Sequence, residues 1–214
     1  MKRLNDQTAP WVLDGAACLW LISPILGEPA TALYHTLCNE LPWRQPKLTL
    51  YGREHPVPRL TCWLGDAGVH YRYSGIDHRA TGWPAPLAPL IAALHARTGR
   101  QPNGALANLY RDGADAMGWH RDNEPELGAH PWILSYNLGA SRDFVLRRYG
   151  ESRQSHRLSL EHDSLLVMSP AVQRQFEHAL PRRRRVTTAR LNLTFREIRP
   201  SFQHGAALSQ KKDS

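Results

Sequence analysis

The feature that most constrains the fold is a succession of seven short β-like runs in the second half of the chain. They are Ala105–Tyr110, Trp132–Leu138, Asp143–Tyr149, His156–Leu160, Ser164–Met168, Gln175–His178 and Thr188–Ile198. Turn signals such as Arg111-Asp112-Gly113 and Tyr149-Gly150 separate them. Short strands at this spacing argue for a β-sandwich or jelly-roll core. Upstream, two helices are expected. One runs from about Glu28 to Leu41 after Gly27. The other runs from about Pro86 to Arg97, with Leu87, Leu90, Ile91 and Leu94 at helical spacing and Gly99 as a stop. Proline-rich irregular sequence lies between them. The expected class is mainly β with flanking helices, an α+β arrangement with the helices on one side of the core.

Neither an internal repeat nor a linker is visible, so the 214 residues are read as one domain. Within it, residues 1–104 form an N-terminal extension with supporting helices, 105–199 the β core, and 200–214 a tail expected to be disordered. The most apolar stretch, Ala16–Leu26, is broken by Ser23 and Pro24 and falls short of a membrane span. Lys2 and Arg3 are followed by Asp6 and Asp14 without an apolar block, which argues against a signal peptide. Cys18, Cys38 and Cys62 are scattered and form no CxxC pair, so reduced thiols are expected. The expected compartment is the cytoplasm, or the bacterial cytoplasm or nucleoid if the source is bacterial, and the expected state is a monomer. Twenty-seven Lys and Arg against nineteen Asp and Glu give a net charge of +8, and Arg182–Arg185 are consecutive. Arginine's planar fork suits phosphate, so either a polyanionic partner or a solvated basic loop follows.

His120-Arg121-Asp122 follows the first of the seven runs, and His178 comes 56 residues after Asp122. In extended backbone a His-x-Asp pair points both side chains to one face. Two imidazoles and a carboxylate with open positions opposite suit non-haem Fe(II). Eleven histidines make a chance match common, and a surface or capping role is the alternative. The final run adds a second constraint. In Arg190-Leu-Asn-Leu-Thr-Phe-Arg196, alternation places Arg190, Asn192, Thr194 and Arg196 on one face and Leu191, Leu193 and Phe195 on the other. If the polar face looks into a barrel-like sandwich, the two arginines need anionic partners, because unpaired buried charge is costly. A dicarboxylate would supply both. Six residues of strand span about 20 Å, longer than 2-oxoglutarate, so the side chains must lean together or one must pair sideways.

These residues resemble the AlkB-type oxidative nucleic-acid demethylases. The resemblance rests on Asn108-Leu-Tyr110, His120-Arg-Asp122-Asn-Glu124, Ser135-Tyr-Asn-Leu-Gly139, Arg142-Asp-Phe144, Ser164-Leu-Leu-Val-Met168, Gln173 with His178-Ala-Leu-Pro181, and Arg190–Arg196. It covers about residues 50–198. It implies a double-stranded β-helix in which His120, Asp122 and His178 hold Fe(II). Asn108, Tyr110, Arg190, Asn192 and Arg196 would bind 2-oxoglutarate, with Arg190 at the distal carboxylate and Arg196 near the metal-chelating end. The implied reaction consumes O2 and 2-oxoglutarate, releases succinate and CO2, and hydroxylates an N-alkyl group that then leaves as aldehyde. Implied substrates are bases such as N1-methyladenine and N3-methylcytosine in DNA, with RNA as a further substrate.

The N-terminal part resembles the branch acting on duplex DNA. Leu50-Tyr51-Gly52-Arg53 sits where that branch carries an apolar wedge in a hairpin, which fills the gap left by a flipped nucleotide. Gly65–Gly75 looks like the substrate lid, and Tyr71 and Tyr73 alternate onto one face to sandwich the base against His120. Partly buried tyrosines of the core are the other reading. Glu124 is placed to meet the base's exocyclic group, with Asn123 nearby. Residues 1–45 show no specific match, and Arg182–Arg185 is an unusually basic insert. Three rivals remain open at this stage: hydroxylation of a protein or small molecule, a metal-free nucleic-acid-binding module, and a zinc hydrolase, which gives no reason for Arg190 and Arg196.

Overall fold

The computed structural model describes residues 9–50, 52–73 and 76–199, and of residues 49, 50, 71–73 and 76–78 it describes the backbone only. The tail at 200–214 and Tyr51 lie outside the described residues. The first half of the chain holds β1 (Trp11–Asp14), β2 (Ala17–Ile22), α1 (Pro29–Glu40), β3 (Lys47–Leu50), β4 (Arg53–Pro56), β5 (Leu60–Gly65), β6 (His70–Tyr73), β7 (Ile76–Arg79) and α2 (Ala88–Thr98). Then come β8 (Gly104–Tyr110), β9 (Met117–His120), β10 (Ile133–Gly139), β11 (Arg142–Arg148), β12 (His156–Leu160), β13 (Ser164–Met168), α3 (Pro170–Gln175), β14 (Phe176–Leu180) and β15 (Arg190–Arg196). A seven-stranded sheet in the order β1-β2-β13-β10-β15-β8-β5 faces a four-stranded sheet in the order β12-β11-β14-β9. All pairings in both sheets are antiparallel, as a jelly roll requires.

All seven predicted runs and both predicted helices form, with ends shifted by a few residues. Three elements of the N-terminal part, β1, β2 and β5, extend the larger sheet rather than standing apart from it. They went unread as strands because β1 is only four residues long and β2 and β5 are short apolar runs without a period-two alternation. Pairing with β13 and β8 settles β2 and β5 as strands.

β15 explains how the core sits. It lies between β10 and β8, and all seven of its residues are buried. This excludes a solvated edge strand. Its apolar face, Leu191, Leu193 and Phe195, packs with Leu134, Tyr136, Ala105 and Ala107 beneath α1 and α2. Full burial of each large side chain contributes roughly 1.5–3 kcal/mol. The helices therefore cover the outer face of the larger sheet, and the polar face of β15 is left looking into the space between the sheets.

One buried carboxylate fixes α1 to this sheet. Asp163 adopts φ 57° in the turn before β13. Its oxygens accept the backbone N–H groups of Ile25 (3.1 Å), Leu26 (3.0 Å) and Gly27 (2.7 Å) and the Tyr136 hydroxyl (2.6 Å). Burial, together with this carboxylate, pushes the Tyr136 hydroxyl well above its usual range. A left-handed residue with a short hydrogen-bonding side chain is what such a turn favours.

Candidate metal centre

His120 ends β9, His178 lies in β14, and the two are opposite each other in register. Opposed residues on a pleated sheet share a face, so the imidazoles meet with ring centroids 4.2 Å apart. Asp122 enters the same space from the loop just beyond β9, its Oδ2 3.5 Å from His178 Nε2. One ligand atom from each of the three lies within 4.8 Å of the others. His120 Nδ1 is 2.8 Å from the Gly118 carbonyl. A carbonyl only accepts, so Nδ1 carries the proton and Nε2 keeps its lone pair for a metal. The Phe144 ring stacks on His178 at 5.1 Å and forms an apolar wall.

Electrostatics hold His120 and Asp122 deprotonated. Burial, and then the neighbouring His178, push the His120 imidazole down to about 3. For Asp122, burial works against ionisation, but the Arg196 guanidinium and the two histidines outweigh it and hold the carboxyl far below its usual range. Arg196 Nη2 donates to Asp122 Oδ1 at 2.6 Å, and both side chains are buried. The backbone N–H of Asp122 donates to Gln173 Oε1 at 3.0 Å. Oδ1 and the main chain are thus occupied, and Oδ2 faces the histidines. Two imidazoles and one carboxylate on one side of an otherwise polar cavity are a donor set for a first-row divalent ion with open positions.

The same cavity continues along β15 past Thr194 and Asn192 to Arg190 and Tyr110. Of the two arginines expected to need an anionic partner, Arg196 finds one within the protein, in Asp122. That partner is 74 residues away in sequence, which hid it from local inspection. Arg190 differs. It is 2% exposed, donates to Asn137 Oδ1 and shares a hydrogen bond with Tyr110, yet its Nε has no partner. Among the described residues no carboxylate pairs with it. Burial, reinforced by repulsion from Arg142 and only partly offset by Tyr110, pushes its guanidinium down to about 10. A buried cation in that position calls for an anionic partner from outside the protein. The two arginines stand at either end of β15, Arg196 beside Asp122 and Arg190 beside Tyr110.

Asn108 and Asn192 line this cavity with their amides engaged by protein. Asn108 Oδ1 accepts from Arg59 Nε at 2.9 Å, and Asn192 Nδ2 donates to Ser135 Oγ at 2.8 Å and to the Tyr136 carbonyl at 3.0 Å. Glu124 is half-buried two residues beyond Asp122, and Asn123 is exposed. Tyr71 and Tyr73 occupy alternate positions of β6, but their side chains lie outside the described residues. Leu50 and Arg53 face each other across the β3–β4 hairpin, where Gly52 takes φ 75° and Arg53 is exposed. The Leu50 side chain and Tyr51 lie outside the described residues.

Sequence reasoning gave no role to several participants, although Arg142 and Gln173 stand within the motifs quoted above. Arg142 is fully buried and donates to the carbonyls of Asp112 (3.0 Å), Asp115 (2.9 Å) and Pro181 (2.7 Å). Alternation along β11 from Phe144 would have turned it inward. Arg59 lies in the bend before β5 and Gln173 is the fourth residue of the six-residue α3, and neither position carries a periodic signal. The basic insert is also anchored. Gly113 and residues 183 and 186 exchange backbone hydrogen bonds at 2.7 Å, and a Cβ on Gly113 would meet the Arg183 carbonyl at 1.7 Å. Arg183 pairs with Asp143, while Arg182, Arg184 and Arg185 are exposed.

The family model described as the 2OG-Fe(II) oxygenase superfamily matches residues 20–196. The chain belongs to that superfamily. Its members use Fe(II), 2-oxoglutarate and O2, which accords with a His-Asp-His centre beside a carboxylate-free arginine. The match begins at residue 20, earlier than the motifs alone indicate, because β2 is part of the catalytic sheet. Among similar oxygenases, the DNA oxidative demethylase ALKBH2 of Mus musculus is 40% identical over 167 residues, 72% of this chain and 68% of that protein. The alpha-ketoglutarate-dependent dioxygenase alkB homolog 3 of Rattus norvegicus is 34% identical over 182 residues, 81% of this chain and 61% of that protein. The chain thus spans about two thirds of the length of these relatives. The solved structure of OsALKBH1, 16% identical, shares the fold with a TM-score of 0.56, covering 88% of this chain and 100% of that one. Among the described residues, no helix is long and apolar enough to cross a membrane.

Proposed function

We propose that this oxygenase removes alkyl groups from N-alkylated bases in DNA, such as N1-methyladenine and N3-methylcytosine, and extends to the same lesions in RNA. The observation that carries the reading is one buried cavity holding His120, Asp122 and His178 at one end and the carboxylate-free Arg190 at the other. His120, Asp122 and His178 would hold Fe(II), which would supply activation of O2, with one oxygen atom going to succinate as 2-oxoglutarate loses CO2 and the other to the N-alkyl carbon. The hydroxylated group then leaves as aldehyde and the base is restored.

The chain's own residues supply position and exclusion. His120, Asp122 and His178 are the metal ligands in this reading, and Arg196 keeps Asp122 ionised and its Oδ2 turned inward. Arg190, with Tyr110, takes the distal carboxylate, and Asn108 and Asn192 shape the floor beneath it. Phe144 keeps water from the imidazoles. Outside the cavity, Tyr71, Tyr73 and Glu124 are assigned to the flipped base, and Leu50 and Tyr51 to the gap it leaves in the duplex. The net charge of +8 and the exposed Arg53, Arg182, Arg184 and Arg185 favour a phosphate backbone over a neutral small molecule. Relatives named as DNA demethylases support the same substrate class. The relatives named above are mammalian and lend no support to a bacterial compartment.

The test is 2-oxoglutarate consumption in the presence of matched oligonucleotides. Faster succinate formation with an N1-methyladenine oligonucleotide than with its unmodified twin is expected. Equal rates with both would redirect the proposal to a protein or small-molecule substrate.

A further inference from the structure

Gln173 is buried to 1% exposure in the middle of the molecule, on α3, a helix of six residues that leads directly into the His178 strand. A glutamine amide removed from water at such a site needs a reason, because its polar atoms lose their hydration on folding. Its Oε1 accepts the backbone N–H of Asp122 at 3.0 Å, across 51 residues of sequence. Its Nε2 lies 3.5 Å from the Met168 sulfur, and Met168 itself lines the cavity. The amide therefore bridges the cavity wall to the main chain of the loop that presents Asp122.

That loop has no regular backbone pairing of its own. β9 stops at His120, and the residues from 121 to 124 belong to no strand or helix. Arg196 and His178 meet the two carboxylate oxygens of Asp122, but contacts at the end of the side chain do not by themselves fix the backbone that carries it. The contact from Gln173 removes that freedom at the Cα end. Because α3 runs straight into β14, the same short segment that places His178 also places Asp122. Two ligands from distant parts of the chain are thereby held to one spacing.

We infer that Gln173 is a positioning residue for the metal centre, acting through the Asp122 main chain to hold the carboxylate in its ligating orientation. This rests on the assignment of Asp122 as a metal ligand. Interactions one step removed from a metal typically set affinity by roughly 10–100-fold, and that is the effect expected here.

The experiment titrates Co(II) into the full chain without turnover and reads both affinity and the visible d–d spectrum, with the melting temperature of the metal-free protein alongside. Gln173→Met keeps the volume and removes the acceptor. It should weaken Co(II) binding by about tenfold or more and alter the spectrum. Gln173→Glu restores an oxygen acceptor at the same reach and should recover most of the affinity. If Gln173→Met does not fold, Gln173→Asn decides in its place, since it keeps the amide but draws the oxygen back by one methylene, and the same loss is expected. Co(II) affinity and spectrum equal to wild type in the folded variant would overturn the inference. Asp122→Asn separates this from failure of the underlying assignment. Loss of Co(II) in Asp122→Asn together with wild-type binding in the Gln173 variant refutes only the positioning role. Unchanged binding in Asp122→Asn refutes the ligand assignment and the inference with it.

Discussion

Arg190→Leu tests the least ordinary feature of the cavity, a buried cation with no carboxylate among the described residues. In the ligand-free protein this guanidinium is 2% exposed, its Nε is unpartnered, and burial has pushed it down to about 10. Replacing such a charge by an apolar side chain of comparable bulk is neutral or stabilising in many proteins. The metal-loaded, 2-oxoglutarate-free variant should therefore melt no lower than wild type. Ligand binding should behave in the opposite way. Breaking a desolvated charge pair on one side costs on the order of 2–5 kcal/mol, so affinity for 2-oxoglutarate should fall at least about thirtyfold. At a ligand concentration 100 times the wild-type Kd, wild type gains about 2.7 kcal/mol and the variant about 0.9 kcal/mol. At roughly 2–4 °C per kcal/mol for a chain of this size, the ligand-induced shift drops from about 5–10 °C to about 2–4 °C. Anaerobic melting with and without 2-oxoglutarate, checked by calorimetry, reads both halves. A variant that binds 2-oxoglutarate as tightly as wild type would show that Arg190 does not hold the distal carboxylate.

Asp122→Ala should abolish metal retention, and it should also destabilise the fold by about 3–5 kcal/mol because it removes the carboxylate that buried Arg196 faces, whereas Asp122→Asn should lose the metal with less damage; chemical denaturation of both variants distinguishes them. Asp163→Ala removes the acceptor for three backbone N–H groups and the Tyr136 hydroxyl and should cost about 2 kcal/mol or more without touching the cavity, read as a lower midpoint with unchanged Co(II) affinity. Acid stability follows from His120. Its folded pKa of about 3 lies below the ordinary 6.5. As pH falls from about 6.5 towards 3 the unfolded chain therefore binds a proton that the folded one refuses, and metal-free stability is lost at up to about 1.4 kcal/mol per pH unit. A melting series on the metal-free protein should show a shallower slope in His120→Gln, and equal slopes would contradict the assigned shift. Leu50→Ala with Tyr51→Ala should slow repair of a duplex lesion much more than the same lesion in a single strand, whose unstacking cost is small. Equal losses on matched oligonucleotides would place these residues in the core instead.

What the sequence discloses, and what it hides, divides along physical lines. Strands buried on both faces by the second half of the chain carry apolar or alternating patterns, and Arg190–Arg196 shows its inward polar face without any structure. The His120-x-Asp122 spacing and His178 are legible for the same reason, since alternation assigns faces. Contacts between distant segments are not legible. Arg196 with Asp122, Gln173 with the Asp122 main chain, and Arg59 with Asn108 join residues 49–74 positions apart, and no local period reports them. β9 escaped notice as well, because Met117–His120 is only four residues long and takes its order from pairing with β14.

The central claim is that one centre couples 2-oxoglutarate oxidation to removal of a base alkyl group. The measurement is a single-turnover reaction: the protein is loaded with Fe(II) and 2-oxoglutarate without oxygen, mixed with an oligonucleotide bearing one N1-methyladenine, and exposed to O2. Mass spectrometry should then show the unmethylated oligonucleotide with one equivalent of succinate and one of formaldehyde. An oligonucleotide that keeps its methyl group while 2-oxoglutarate is consumed, or that loses it without 2-oxoglutarate, would contradict the account.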